Sequence, residues 1–341
     1  SRFPLNHFRQ NFQFSNTLSW NKGAHFLKLG VDVRRQILDM QELFRGDPYI
    51  RFGNTWTGEA AADLMLGLPL QFEQIAEAHN FPRTWELGFF AQDDWKVNRK
   101  LTLNLGVRWD PWFPFLDEAD KFAQLWPGKQ STKFPTAPTG VLFPGDEGLS
   151  RSMLQSAWGN VGPRFGFAYD PAGDGKTSIR GGYGLFYSQV RQQANNQIST
   201  NQPFSLKLTV NNPAGGINNP YQGIGNPFPF KAPSNAQEAQ SYKWVLPLTL
   251  TQWNPNMRNA VIQQWNLNLQ REFFSSWIGT LAYVGSKGNH LFMTAEMNPG
   301  VYGRPGNLNQ RRVYAPNFAQ ATDQSSRGNS NYHAFQASVK D

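Results

Sequence analysis

Apolar and polar residues alternate along most of this chain with a period of two. In Leu101-Thr102-Leu103-Asn104-Leu105-Gly106-Val107-Arg108-Trp109-Asp110 every odd position is apolar and every even one is polar or glycine. Successive side chains of a strand point to opposite faces, so the run predicts a strand with one apolar and one polar face. Residues 85–97 keep the same parity through Trp85, Leu87, Phe89, Ala91, Trp95 and Val97, broken only at Asp93. Asn98-Arg99-Lys100 between the two runs is short enough for a hairpin turn. The same construction predicts strands over 7–20, 24–36, 158–170, 177–189, 261–273, 277–285 and 331–340. Two weaker candidates, 49–53 and 70–80, bring the number to eleven, and 58–67 reads as a short helix.

The connections alternate between two kinds. Short ones fall at 21–23, 98–100, 171–176 and 274–276, and long ones at 111–157, 190–260 and 286–330, all of the latter on one end of the array. Loops of that length are rare in compact soluble domains. Short turns on one side and long loops on the other describe an outer-membrane β-barrel. The expected fold class is therefore all-β, an antiparallel transmembrane β-barrel, present in part.

Face chemistry agrees. A soluble sandwich buries its apolar faces between two sheets, whereas a wide barrel turns its apolar face to lipid and its polar face to the lumen. Glycine alternates with arginine on the polar side (Arg164, Gly166; Arg180, Gly182, Gly184), which suits a lumen packed against other protein. Trp20, Trp85, Trp95, Trp109, Trp158, Tyr169, Tyr187 and Tyr283 stand where interfacial aromatic girdles are expected. Arg34, Asn104, Arg108, Arg164, Arg180, Asn266 and Gln270 are the candidate lumen-facing residues.

Composition sharpens this picture. Charged residues are 16% of the 341, below the roughly 25% of soluble domains, while aromatic residues reach 14%. An exterior that meets lipid needs few charges. With no Cys there is no disulfide frame and no thiolate metal site. No run approaches 18 apolar residues, which excludes a membrane-spanning helix. The net charge of +8 comes from scattered Lys and Arg without a nucleic-acid-binding motif, so nucleic acid is not an expected partner.

Five segments carry a resemblance. Gly88-Phe89-Phe90-Ala91-Gln92-Asp93-Asp94-Trp95-Lys96-Val97 with the strand 101–110 resembles the barrel hairpin of TonB-dependent outer-membrane receptors. Gly162-Pro163-Arg164-Phe165-Gly166-Phe167-Ala168-Tyr169-Asp170 and Ile179-Arg180-Gly181-Gly182-Tyr183-Gly184-Leu185-Phe186-Tyr187 look like the Oar-like branch. So do Gln264-Trp265-Asn266-Leu267-Asn268-Leu269-Gln270-Arg271-Glu272 and Ala282-Tyr283-Val284-Gly285-Ser286-Lys287-Gly288, and the likeness runs from about residue 24 to the end. The resemblance implies a 22-stranded barrel with an N-terminal plug, located in the outer membrane of a Gram-negative-type bacterium. It implies outer-membrane lipid and the TonB–ExbB–ExbD complex as partners. The activity it implies is energy-coupled uptake of a large scarce solute (an iron-siderophore, cobalamin or a glycan), or export of protein as in some Oar-like members. Residues 1–341 are then one partial barrel domain, about eleven strands of the 22, with the plug and the C-terminal closing strands expected elsewhere. A structural or adhesive surface barrel without transport is the alternative, and a secreted β-rich glycan-binding protein the third reading.

Catalytic constellations are not expected. The five His (7, 25, 79, 290, 333) lack metal-ligand spacing, so no metal or cofactor is expected. Asp93 and Asp94 are adjacent and should point to opposite faces, which suits a role at the barrel rim rather than paired acid–base work. Gly181-Gly182-Tyr183-Gly184 lacks the Lys-Ser/Thr of a phosphate loop, and its glycines are expected to permit strand curvature. Arg45-Gly46-Asp47 reads as a chance tripeptide of a polar loop. Ligand recognition is expected in the long loops. The stretch 190–260 holds 12 Asn and 8 Pro beside Phe228 and Phe230, and Phe204, Tyr221, Tyr242, Trp244 and Trp253 are its candidate contacts. Amides beside aromatic planes suit sugars or aromatic chelators, while the plainer expectation is a Pro-stiffened loop whose rings pack on each other. The lumen arginines are expected to pair with plug carboxylates.

Overall fold

In the computed structural model, residues 5–42, 46–190, 198, 200–274 and 277–341 are described. Among them nine long strands follow the predicted runs: β1 (Leu5–Lys22), β2 (His25–Glu42), β6 (Pro82–Lys96), β7 (Leu101–Trp109), β11 (Val161–Tyr169), β12 (Thr177–Ser188), β15 (Ala260–Phe273), β16 (Trp277–Glu296) and β17 (Phe318–Lys340). They pair in that order, each antiparallel to the next, and form one continuous wall. The short turns lie between β1 and β2, β6 and β7, β11 and β12, and β15 and β16, as the spacing predicts; residues 275 and 276 of the last fall outside the described residues.

The register carries the alternation across the whole wall. Val31, Phe89, Trp109 and Val161 lie side by side on four strands. Three residues along, an odd step that changes face, Lys28, Gln92, Gly106, Arg164, Gly184, Gln264 and Ser286 form a polar row on the opposite side. Leu29, Val107, Phe165, Leu267, Leu281 and Phe335 are all exposed, which is how a lipid-facing surface stands in isolation. Among the described residues no second sheet covers this face, so the packed-sheet arrangement required by the secreted glycan-binding reading is not formed by them.

Aromatic side chains mark the height of the band. Trp85 and Trp95 stand ten residues apart on β6. At about 3.4 Å per residue and a tilt of roughly 40°, that is about 25 Å, the height of an outer-membrane apolar band. The upper girdle is continuous, with Phe89 stacked on Trp109 at 5.4 Å and Phe113 edge-on to Trp158 at 5.2 Å. At the lower one, His25 stacks on Trp95 at 5.2 Å and its Nδ1 pairs with Asp93 at 2.7 Å. This pairing accounts for the one break in parity: Asp93 sits among apolar neighbours at the rim with its own partner. Asp94 faces the other way, accepting from Asn104 at 2.6 Å.

Where the strands leave lipid, the alternation fades and the predicted boundaries shift. About 9–11 residues suffice to cross an outer membrane, yet β1 and β2 have 18 each, β16 has 20 and β17 has 23. The loop expected over 286–330 is accordingly much shorter, since β16 and β17 continue as a paired hairpin to Glu296 and Thr322. Above the lipid neither face needs to be apolar, so the sequence carries no period there. The two weaker strand candidates are redistributed for the same reason. β3 (Tyr49–Arg51) and β4 (Gln71–Ile75) join β13 (Lys207–Asn211) in a separate three-stranded sheet, and of these candidates only β5 (Ala78–Asn80) adds to the wall, on β2. Within 111–157, the two-residue β8 (Leu116–Asp117) pairs with β6, and β9 (Gln124–Leu125) pairs with β10 (Val141–Leu142). The predicted helix is α1 (Ala60–Met65).

Two of the glycines in 181–184 make room for neighbouring rings. A Cβ on Gly181 would stand 2.5 Å from the Phe167 ring, and one on Gly184 would stand 2.7 Å from the Phe186 ring. Each glycine lets an aromatic ring lie flat along the sheet.

Candidate site: the lumen-side wall and the outer loop cap

The seven predicted lumen residues share the polar face, because all occupy even positions of strands whose odd positions are apolar. Their surroundings differ. Arg34 pairs with Glu86 of the neighbouring strand at 3.0 Å, and Gln36 donates to the other oxygen of Glu86 at 2.7 Å. Arg108 grips Asp110 at 2.8 Å, in space left by the absent side chain of Gly88. These two arginines find carboxylates within the wall itself. For Arg34 the cross-strand register with Glu86 brings the partner within reach, and Arg108 takes Asp110 two residues along its own chain. Arg164 instead lies over the Phe186 ring at 4.8 Å, and Arg180 donates to Ser178 at 3.0 Å. Neither has a carboxylate partner among the described residues. Arg108 and Arg164 line a recess of about 210 Å³ over Gly106. Asn266 lies beside Gly182, and Gln270 beside Ser178, on the same face.

The long loops rise from this wall and fold on one another. One apolar cluster joins Phe134, Val141 and Phe143 of the 111–157 loop to Leu248 and Leu250 of β14 (Leu248–Trp253) and to Phe318 and Ala321 of β17. β14 locks this arrangement by pairing parallel to β17. A second cluster gathers Trp112, Phe122, Met153, Leu154, Ile198, Trp253 and Met257. Most of the largest fully buried apolar side chains, Phe122, Phe143, Leu142, Ile198, Leu206, Leu248 and Leu250, lie in these loops or in β14, and Leu38 and Met40 at the upper end of β2 are the exceptions. The loops are therefore a cap with its own core.

A buried carboxylate organises one corner of that cap. Asp146 accepts from the Ser131 hydroxyl at 2.7 Å, the Thr132 and Phe143 amides at 2.8 Å each, and the Lys133 amide at 3.1 Å. Burial opposes its ionisation, but the hydrogen bonds from Ser131 and the three amides outweigh it and hold the carboxyl below its usual range. A depressed folded-state pKa contributes stability above the ordinary carboxylate pKa, and that contribution is lost as the pH falls through the folded value. Asp146→Ala strands two buried donors, the Ser131 hydroxyl and the Phe143 amide, at roughly 1 kcal/mol or more each, and frees the more exposed Thr132 and Lys133 amides, so it should destabilise the cap by about 2 kcal/mol or more at pH 7. Proteolysis of the 111–157 loop at pH 7 and at pH 3 measures this: the wild type should approach the variant only at the acid end.

The five predicted loop contacts have varied settings. Phe204 and Trp244 pack on the first cluster, with Trp244 edge-on to Phe134 at 6.3 Å and its Nε1 donating to Thr136 at 3.2 Å. Trp253 is 5% exposed, inside the second cluster. Tyr242 stands edge-on to Trp244 at 4.9 Å and donates to Gln202 at 3.1 Å; its burial pushes the phenol above its ordinary range. Tyr221 packs on Phe72 and donates to Gln74. Ring-on-ring packing, the plainer of the two expectations, describes most of this set. Only Trp244 also lines a cleft of about 1050 Å³, formed where β13, residues 224–227, residues 243–247 and residues 307–309 meet.

The family model of the outer membrane beta barrel domain matches residues 1–341. The chain belongs to that family. As an outer membrane beta barrel domain it is located in the outer membrane, with the apolar face of its wall toward lipid. It is similar to the TonB-dependent transporter Oar of Myxococcus xanthus, 25% identical over 180 residues, covering 49% of this chain and 14% of that protein. Solved structures similar to it include the outer membrane transporter YddB from Escherichia coli (12% identity, TM-score 0.49, 98% of this chain and 31% of that one). The siderophore receptor PirA from Pseudomonas aeruginosa is another (9% identity, TM-score 0.38, 98% of this chain and 46% of that one). The beta barrel domain thus spans less than half the length of each of these relatives.

Sequence reading missed the cleft of this beta barrel domain. Asn211, Asn226, Asn307 and Asn309 come from separate stretches of two loops. The density of Asn in 190–260 was the one available signal, and it does not reach Asn307 or Asn309.

Proposed function

We propose that this outer membrane beta barrel domain is a segment of a TonB-dependent transporter that takes up a large scarce solute, captured first by the outer loop cap and passed to the polar face of the wall. The observation that carries this reading is the cap: loops with their own apolar core standing over a face lined with hydrogen-bonded Asn, Gln, Arg and Asp side chains. A purely structural barrel has no need of a folded cap with an open cleft. Energy transfer through TonB follows from the likeness to Oar and to the receptor hairpins, and belongs to the whole protein rather than to this domain.

The test is growth and uptake in a strain lacking the gene, supplied in turn with iron chelates, cobalamin and oligosaccharides as limiting nutrient. Uptake of one of them should disappear both in this strain and in one lacking TonB, and return with the intact gene. Unchanged uptake of every solute in both strains would instead support the adhesive or structural barrel.

A further inference from the structure

The cleft in the cap has a one-sided hydrogen-bonding chemistry. Asn226 Oδ1 accepts from the Phe228 amide at 2.9 Å, Asn307 Oδ1 from the Gln310 amide at 3.1 Å, and Asn309 Oδ1 from Arg312 Nε at 3.1 Å. Backbone and guanidinium N–H groups only donate, so the oxygen end of each amide is fixed toward the protein. Asn211 Oδ1 is likewise taken, by Gln71 at 3.0 Å. The N–H₂ ends of these four amides have no protein partner among the described residues. Of the other polar side chains in the lining, Thr209 is engaged with Glu73 and Trp244 with Thr136, while the Asn212 amide has no side-chain partner among the described residues and can turn either end to a ligand. No carboxylate lines the cleft, and Lys243 is its one charged side chain, exposed and without an ion-pair partner among the described residues.

The side chains of the cleft thus offer several donors, one positive charge and few acceptors. Ile224, Leu246 and Leu308 add exposed apolar ledges, at 55%, 49% and 47%. We propose that this cleft binds an acidic oligosaccharide, with a carboxylate at Lys243, hydroxyl and ring oxygens on the asparagine donors, and sugar C–H faces on the ledges. The proposal rests on the reading of the cap as the place of first capture. The charge count selects the class. A compact multiply charged anion is met by several cations or an arginine fork, and here there is one lysine. An uncharged sugar would leave that lysine unused. The volume exceeds the several hundred Å³ of a typical small-ligand pocket, which suits a ligand of more than one ring.

The experiment is calorimetric titration of the intact full-length protein in lipid nanodiscs with trigalacturonate, an alginate trimer and, as the uncharged control, maltotriose. At least one acidic trimer should bind the wild type, and maltotriose at least tenfold more weakly, the equivalent of one charge-assisted hydrogen bond. Lys243→Gln should remove that preference. The double variant Asn226→Asp, Asn309→Asp keeps the oxygens that hold Phe228 and Arg312 but replaces donors by negative charge, so it should lose the acidic trimer altogether. Unaltered migration of the folded barrel in unheated gels checks that the variants assemble. Absence of acidic-trimer binding to the wild type, or equal binding by wild type and double variant, overturns the proposal. Binding and transport fail separately: TonB-dependent uptake without acidic-trimer binding overturns the cleft assignment alone, whereas binding without uptake overturns the transport reading alone.

Discussion

Leu267→Arg should strongly impair barrel assembly, while Asn266→Arg, one residue away, should leave it nearly intact. Leu267 lies midway along β15, 51% exposed, between Gly181 of β12 and Tyr283 of β16 on the apolar face. An arginine there meets the hydrocarbon near the bilayer midplane, at a cost of about 2–4 kcal/mol. Asn266 projects to the other face, opposite Gly182 and Val284. The missing side chain of Gly182 leaves space for a longer residue, and water or polar neighbours solvate its charge, so the expected cost stays within about 1 kcal/mol. The measurement is the folded fraction in unheated gels after insertion into lipid vesicles, followed by urea unfolding. If Asn266→Arg proved the more damaging of the two, the assignment of faces would be reversed, and with it the placement of all seven lumen residues.

The same one-residue logic explains how much of the wall is legible in the sequence. Lipid imposes a strict apolar requirement on every second residue, so Leu101 to Trp109 and its eight counterparts announce themselves, with their turns. Even the exception at Asp93 is resolved by a diagonal neighbour, His25, which stands on the adjacent strand opposite Trp95. Above the lipid that requirement ends. The upper halves of β16 and β17, from Asn289 to Glu296 and from Phe318 to Asn329, run through Gln, Ser, Asp and Gly with no period and read as loop. They are held as strands by pairing with each other up to Glu296 and Thr322 and, at Phe318 and Ala321, by β14.

The cap was the least legible part for a related reason. Its core is assembled from residues far apart in sequence, such as Phe143 with Phe204 and Leu125 with Gln252. No local period records such meetings. The aromatic density of 190–260 was visible, but whether those rings face a ligand or each other depends on partners in 111–157. The lumen arginines show the intermediate case. Their face follows from parity, whereas their partners follow from register: Glu86 opposite Arg34 became evident only once β2 and β6 were aligned.

Phe143→Ala should open the cap without opening the wall. Phe143 has no exposed surface and sits 4.5 Å from Phe134 and 6.0 Å from both Phe204 and Trp244, so it joins the two longest loops. Truncating a buried Phe to Ala costs about 3–5 kcal/mol through lost burial and the cavity left behind. At about 1.4 kcal/mol per factor of ten, the open population of the cap should rise by at least a hundredfold. The wall is held by the strand ladder from β1 to β17 and by the lipid, and the Phe143 cluster touches it only at the head of β17. Trypsin or chymotrypsin should therefore cut within 111–157 and 200–260 far faster in the variant, while the nine wall strands stay protected and the folded barrel keeps its gel mobility. The cleft should weaken along with the cap, since Trp244 belongs to both. Loss of the barrel together with the cap would show that the two fold as one cooperative unit, because a wall stabilised independently by lipid and hydrogen-bonded register has no reason to follow the cap.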